Sequence, residues 1–462
     1  MRRSLLMIAT LACVARPLSA QSRELPTQSR ELAAHSSALE QYVALGLKQN
    51  LGLRQEELAV RRSDALVREV RGNFFPSATI NARHTDVRGR VVDLGELINP
   101  AFAALNQLTG TQDFPTNINL RLPLKQETSV RIAQPLFQPA IFAGYRAASA
   151  ARTAQESLRD AAVHTVAAEI RSAYLQHAKA SRLAELRAAT RLLLEEQLRV
   201  VNRLIDAGRA TPDALSRARA ELSDAVQREA EAAQLAGATA QSFNMMLARP
   251  LTDAVIIDPD SALGFGAMPT LDEAIAAGSG GRAEIKVLGA YERAATAQKR
   301  LAQSAYFPNL AVALDYGFQG NEYRFTRDAD FATVSLVASW NVFNGGRDAA
   351  KAEQAGLEAQ QYKLKSEDAR RGVELQVRLA WQAAEVARAA ISTAEDQRAA
   401  AARTHELVRR RAEEGLASPL ELSQARTALT AAELNSVFTT YDYYLRRVEL
   451  DRAAALYPRA TP

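Results

Sequence analysis

Apolar residues recur at three- and four-residue intervals through most of this chain, and in four short stretches they alternate strictly with polar ones. The first spacing marks helices packed along one side, the second half-buried strands. Leu39 to Arg71 has helical spacing, with an interruption expected at Gln49-Asn50-Leu51-Gly52. Over 77–87 the period drops to two, setting Ala78, Ile80 and Ala82 against Thr79, Asn81 and Arg83. A connection over 88–128, punctuated by Gly, Asn and Pro, is expected to hold a helical turn or two around Leu94 to Leu108. The return strand, 129–137, ends in Gln134-Pro135-Leu136-Phe137. Helical spacing then runs from Phe142 to Ala207, about 100 Å at roughly 1.5 Å per residue. It carries two stripes: Leu183, Leu186, Thr190, Leu193, Gln197, Val200 and Leu204, and beside them Leu194, Leu198, Val201 and Ile205. One stripe would make a two-helix rod, and two give a helix neighbours on both sides.

Each switch from helix to strand falls at a Phe-Pro pair, Phe75-Pro76 and Phe307-Pro308. Proline has no N–H to continue a helix and pushes its predecessor towards extended backbone, so both pairs are expected to be structural junctions. The offset between them is 232 (307 minus 75), and it holds without a gap back to Leu39 and Leu271, pairing Gly46 with Gly278 and Arg68 with Arg300. This marks an internal repeat. The second copy predicts a helix to Gln303, strands at 309–319 and 331–342, a long helix from Asp348 to Glu413 and a returning helix from Pro419 to Tyr457. Both long helices end in the same device. Gly208-Arg209-Ala210-Thr211-Pro212 and Gly415-Leu416-Ala417-Ser418-Pro419 each put glycine at the left-handed position after the helix, a hydroxyl at the next N-cap and proline in the following first turn. Ser418 and Glu421 add a capping box. The resulting divisions are a first repeat over 39–247 with a tip at 207–212, a linker over 248–270, a second repeat over 271–457 with a tip at 414–419, and a tail over 458–462.

The chain has a net charge of +5, a mild bias on 462 residues, and no compact basic run with interleaved aromatics, so nucleic-acid binding is not expected. Met1-Arg2-Arg3 followed by an apolar stretch to Ala15 predicts a secretory signal over 1–20, and 21–38 a loose leader. The single cysteine, Cys13, lies in that signal, leaving no thiol for disulfides or catalysis. The histidines show no ligand spacing, no glycine-rich phosphate loop follows a strand, and no nucleophile is set beside a base, so no metal, cofactor or enzymatic activity is expected.

Four strands of about ten residues match the length that crosses an outer membrane, yet they cannot close a barrel, whose smallest members have about eight. An open edge in lipid leaves backbone groups unpaired, so the chain must associate with copies of itself. Two alternatives stay open on the residues alone: a small soluble sheet covered by helices, and a non-conducting periplasmic coiled-coil scaffold or adaptor.

The twice-repeated order of helix, Phe-Pro strand, strand, long helix, glycine tip and returning helix, with Asn341-Val342-Phe343-Asn344-Gly345-Gly346-Arg347 after the fourth strand, resembles the TolC-like outer-membrane efflux proteins over about 39–457. The resemblance implies a mainly α fold with a membrane β-barrel part: a homotrimer whose twelve-stranded barrel, four strands per protomer, sits in outer-membrane lipid and continues into a long periplasmic α-helical barrel. It implies the exit duct of a tripartite efflux pump, or alternatively of a type I secretion system. The tips, with Gly208, Arg209, Thr211, Pro212, Gly415, Leu416, Ser418 and Pro419, would meet a periplasmic adaptor that links the duct to an inner-membrane transporter. It further implies a periplasmic gate on the helix after the second tip, where the matching positions are Glu421 and Gln424. Arg409 and Arg410 lie close enough to that tip either to hold the end shut or to form a solvated helix face. The strand-to-helix join differs between halves, with five more residues between Phe137 and Arg146 than between Phe343 and Arg347.

Overall fold

The computed structural model describes residues 37–86, 88, 92–118, 121–122, 124–208, 211–259, 265–327 and 329–456. The expected signal, Cys13, the leader up to 36, Arg209 and the tail over 458–462 lie outside them.

The first repeat consists of α1 (Ala38–Gln49), α2 (Leu51–Gly72), β1 (Ser77–His84), a small excursion with β2 (Val92–Asp93), α3 (Leu94–Thr109) and β3 (Arg121–Leu122), then β4 (Gln126–Phe137), α4 (Pro139–Asp206) and α5 (Pro212–Met246). The second consists of α6 (Leu271–Gly281), α7 (Ala283–Gln303), a 3₁₀ turn (Ser304–Tyr306), β5 (Asn309–Gly320), β6 (Asp330–Ser339), α8 (Arg347–Glu413) and α9 (Pro419–Ala453). The repeat reaches to individual dihedrals. The helix break at Asn50 (φ −58°, ψ 123°) recurs 232 residues on at Arg282 (φ −57°, ψ 125°), and each N–H donates to the carbonyl of its matched glycine, Gly46 or Gly278. Both glycines are tightly packed: a Cβ on Gly46 would lie 2.3 Å from Ile170 Cδ1, and one on Gly278 2.9 Å from Val377 Cγ2.

Strands β1, β4, β5 and β6 form one antiparallel sheet in that order, leaving β1 and β6 as edges. Bounds shift from those expected for identifiable reasons. β4 begins at Gln126, three residues before the expected 129, because it pairs along β5 as far as Gly320. β6 stops at Ser339, opposite Asn309, because the next residue of the partner is Pro308, which has no N–H for the ladder. The five extra residues of the first join are helical: α4 starts at Pro139, one residue after β4, whereas 340–346 are irregular and end in Gly345 and Gly346 at φ 72° and 78°. The expected turn or two near Leu94 is a 16-residue helix, α3. It is clamped to its own return by two side-chain amides, Asn99 pairing with both backbone groups of Ile118 and Asn106 with both of Phe114.

The core lies at the middle of the helical part. Leu39 and Val43 of α1, Ile170, Tyr174 and Leu175 of α4, Phe243 of α5 and Tyr441 and Val448 of α9 are buried together, and a second cluster joins α6, α7, α8 and α9 through Ala274, Ile285, Val377 and Leu450. The linker is docked on this core. Asp258 accepts from the backbone N–H groups of Ala38 and Leu39 at 3.0 Å each and from the Tyr174 hydroxyl at 3.1 Å, capping α1 across 220 residues of sequence. From the core the long helices run out in pairs, α4 with α5 and α8 with α9. Their seams are alanine at heptad spacing, Ala218, Ala225 and Ala232 on α5 and Ala425 and Ala432 on α9, which lets backbones approach closely. Of the two stripes on α4, the one with Leu194 is packed, while Leu193, Val200 and Leu204 of the other stay 47%, 40% and 40% exposed in the single chain.

Candidate channel wall, tips and gate

The sheet has two chemically different faces. Register places Ile80, Val130, Tyr316 and Ala332 in one row and Ala78, Ile132, Leu314 and Val334 in another, all on one face. Ile80, Val334 and Leu336 are 75%, 76% and 69% exposed there, an apolar surface of the kind that water does not tolerate over a whole sheet. The opposite face carries Thr79, Arg131, Asp315 and Thr333 in one row, with Arg131 Nε donating to Asp315 Oδ1 at 2.7 Å, and Arg83 paired with Glu127 nearby. An apolar outside and an ion-paired inside are what a barrel strand needs when lipid lies on one side and water on the other.

The Phe-Pro junctions are built alike in both halves. The carbonyl just before each Phe accepts one side-chain hydrogen bond of 3.1 Å: Phe74 from the Gln134 amide, Tyr306 from the Trp340 indole. Each bond ties the end of a helix to the start of the outgoing join, so strand direction is fixed relative to helix axis. Phe75 and Phe307 themselves are 60% and 54% exposed. Phe74 instead packs inward, edge-on to Phe142 of α4 at 5.0 Å between ring centroids.

At the tips, Gly208 and Gly415 have φ of 68° and 78°, as the left-handed C′ position requires. The second tip is closed by Leu416 N–H donating to the Arg411 carbonyl at 2.7 Å and by the start of α9, where Ser418 N–H donates to Glu421 Oε2 at 3.1 Å and Glu421 N–H to Ser418 Oγ at 3.2 Å. The capping box thus uses the carboxylate of Glu421. Thr211 holds the N-cap position of α5 but its side chain accepts no helix N–H, unlike Ser418. Leu416 is 66% exposed, and Leu420 just past it is also exposed, so the turn presents apolar groups to its surroundings.

The gate candidates are separate groups in the single chain. Arg409 pairs with Glu406 and Glu413, and Arg410 with Glu406, all on α8 itself. Those contacts pull the Glu406 carboxyl down to about 2 through hydrogen bonds from Arg409 and Arg410, but they link nothing across helices. Gln424 is exposed one helical turn past Glu421. The side-chain link between the two coil pairs near the tips comes from residues that spacing did not single out for a gate: the Ser423 hydroxyl of α9 donates to Glu221 Oε1 of α5 at 2.9 Å. Ser423 follows Ser216 by 207 residues, the same offset that separates Gly415 from Gly208, but nothing in the pattern of α5 marks Glu221 as facing α9.

Residues 280–456 match the family described as outer membrane efflux protein. No curated protein matches the chain in sequence. Among solved structures, the transmembrane channel protein CusC superposes with a TM-score of 0.74 at 16% identity, covering 91% of this chain and 92% of its own. The Neisseria gonorrhoeae MtrE outer membrane channel, in its open state, gives 0.72 at 19% over 90% and 88%. The Campylobacter jejuni CmeC outer membrane channel gives 0.72 at 15% over 96% and 94%. The family match covers the second repeat, and over both repeats the chain has the fold of these outer-membrane channels.

Proposed function

We propose that this protein is the outer-membrane exit duct of a tripartite efflux pump. The observation that carries this is the four-stranded sheet with an apolar outer face and two unpaired edges, mounted on two helical hairpins of 68 and 67 residues in their longest arms. Those helices extend about 100 Å, a length suited to the periplasm, and three copies of the sheet make twelve strands with no free edge. The exposed half of the α4 surface, Leu193, Val200 and Leu204, then finds its cover in a neighbouring chain. A water-soluble scaffold has no use for the exposed apolar row through Ile80, Val334 and Leu336, and the efflux family match favours a pump over a type I secretion system.

The tips at Gly208 and Gly415, with Leu416, are the surfaces for a periplasmic adaptor that joins the duct to an inner-membrane transporter. The gate lies just above them. Glu421 and Gln424 supply its polar ring, Arg409 and Arg410 stiffen the end of α8 through Glu406 and Glu413, and the Ser423 to Glu221 bond holds α9 against α5 in the closed arrangement. Purified protein in planar bilayers is expected to give discrete, small conductance steps, rising several-fold in Ser423→Ala with Glu221→Gln. Membrane-inserted protein that conducts in neither form would overturn the proposal.

A further inference from the structure

Between the two coil pairs, above the tips, α4, α5 and α9 line a cleft of about 250 Å³ that is open to solvent on one side. Its wall carries Arg187, Arg228 and Arg426 against Glu221 and Asp224. The two acids are already engaged: Asp224 pairs with Arg228 at 2.8 Å, and Glu221 accepts the Ser423 hydroxyl. Arg187 and Arg426 remain. Arg426 is half-buried, and its Nε and Nη1 are shut off from solvent with no acceptor among the described residues. Burial holds both guanidiniums below their ordinary range, with Arg228 adding like-charge repulsion to Arg187. A buried charged donor without an acceptor is destabilising, and Arg187 is a second, partly buried cation on the same wall with no ion-pair partner among the described residues, so the space they share calls for negative charge to fill it.

We propose that this cleft is a binding site for a small oxyanion of the sulfate or phosphate type. Guanidiniums present planar forks of N–H donors suited to tetrahedral oxyanions, and the Thr430 hydroxyl on the same wall adds a neutral donor. The volume exceeds that of one such ion and leaves room for water. Because Arg187 belongs to α4 and Arg426 to α9, the bound ion ties the two coil pairs together beside the Ser423–Glu221 bond. All of its wall comes from one chain, and the site adjoins the Ser423–Glu221 contact assigned above to the closed gate, so this inference rests on that reading only for its effect on gating.

The test is thermal melting of the purified full-length protein, followed by helical circular dichroism, in sodium sulfate against sodium chloride of equal ionic strength. Wild type is expected to melt higher in sulfate, with saturation, as a ligand of the folded state demands. Arg426→Gln and Arg187→Gln should each lose the saturating part of that rise. Glu221→Gln removes a repulsive neighbour and should lower the half-saturating sulfate concentration about tenfold. The proposal fails if all variants rise alike, which is the general exclusion of sulfate from protein surfaces. It also fails if Glu221→Gln weakens the response, since Arg426 is then paired with Glu221 in solution. If either arginine variant does not assemble, the Glu221→Gln arm decides alone.

Discussion

Replacing Asp258 by alanine isolates the contact that fastens the linker to the start of the first repeat. Its carboxylate accepts from two free N–H groups in the first turn of α1 and from Tyr174, whose side chain is fully buried. Losing an N-cap acceptor costs about 1 kcal/mol, and leaving the Tyr174 hydroxyl with one partner fewer in the core adds about 1–2 kcal/mol. Together about 2–3 kcal/mol of local stability is removed, which corresponds to exchange about 30- to 140-fold faster wherever α1 opens locally. Hydrogen–deuterium exchange of the peptide covering 38–49, read by mass spectrometry, measures this without global unfolding, and peptides from α8 serve as the internal control. Tyr174→Phe should give a smaller increase than Asp258→Ala, since it leaves the cap intact. Burial raises the Tyr174 hydroxyl above its ordinary value of 10. Its contribution is therefore full below pH 10 and is lost as the pH climbs beyond, and Tyr174→Phe should blunt that alkaline loss. Unchanged exchange over 38–49 in Asp258→Ala would refute the capping argument.

Gly415→Val places a β-branched residue at φ 78°, at a cost of about 1–2 kcal/mol; pull-down of the adaptor should fail while the oligomer still extracts intact, and loss of both would contradict the division between tip and barrel. Glu406, depressed from 4.5 to about 2 by its hydrogen bonds from Arg409 and Arg410, contributes above pH 4.5 and loses that contribution as the pH falls towards 2. Glu406→Gln should flatten exchange of the 400–413 peptide across that window, and an unchanged acid profile would count against the clamp. Asn99→Ala with Asn106→Ala removes both latches of α3, so protease added to intact cells should cut within 94–118 where wild type resists; equal resistance would show that the latches are dispensable.

The fold was legible where local chemistry decides it. Proline at 76 and 308, glycine at 208 and 415, and the Ser418–Glu421 box each specify their own backbone, and the structure places every one as expected. The 232-residue offset was readable where packing demands the same residue in both halves, as at Gly46 and Gly278, whereas the shared break dihedrals at Asn50 and Arg282 are carried by different residues. What spacing concealed are the contacts between elements. Alanine seams at 218, 225 and 232 look like generic helix composition, so leucine stripes were the visible signal, yet part of one stripe faces away from its own chain. Glu221, Ser423 and Arg426 line one cleft only because α5 and α9 both pack along α4, and the amides of Asn99 and Asn106 reach partners inside a loop. The adaptor and gate assignments rest on the resemblance and on placement at the tips.

Closure of the sheet by copies of the chain can be measured directly, because β1 and β6 are separated by β4 and β5 within one protomer. Three strand spacings put them about 14 Å apart, too far for a disulfide inside one chain, since bridged Cα atoms lie about 4.4–6.8 Å apart. With Cys13, the single cysteine, replaced by serine, cysteines are placed at Thr79 of β1 and, in turn, at Thr333, Ser335 or Val337 of β6, and the outer membranes are oxidised. The account predicts at least one pair giving a ladder that ends at three chains. No cross-linked species for any pair, or a ladder that continues past three, would contradict it.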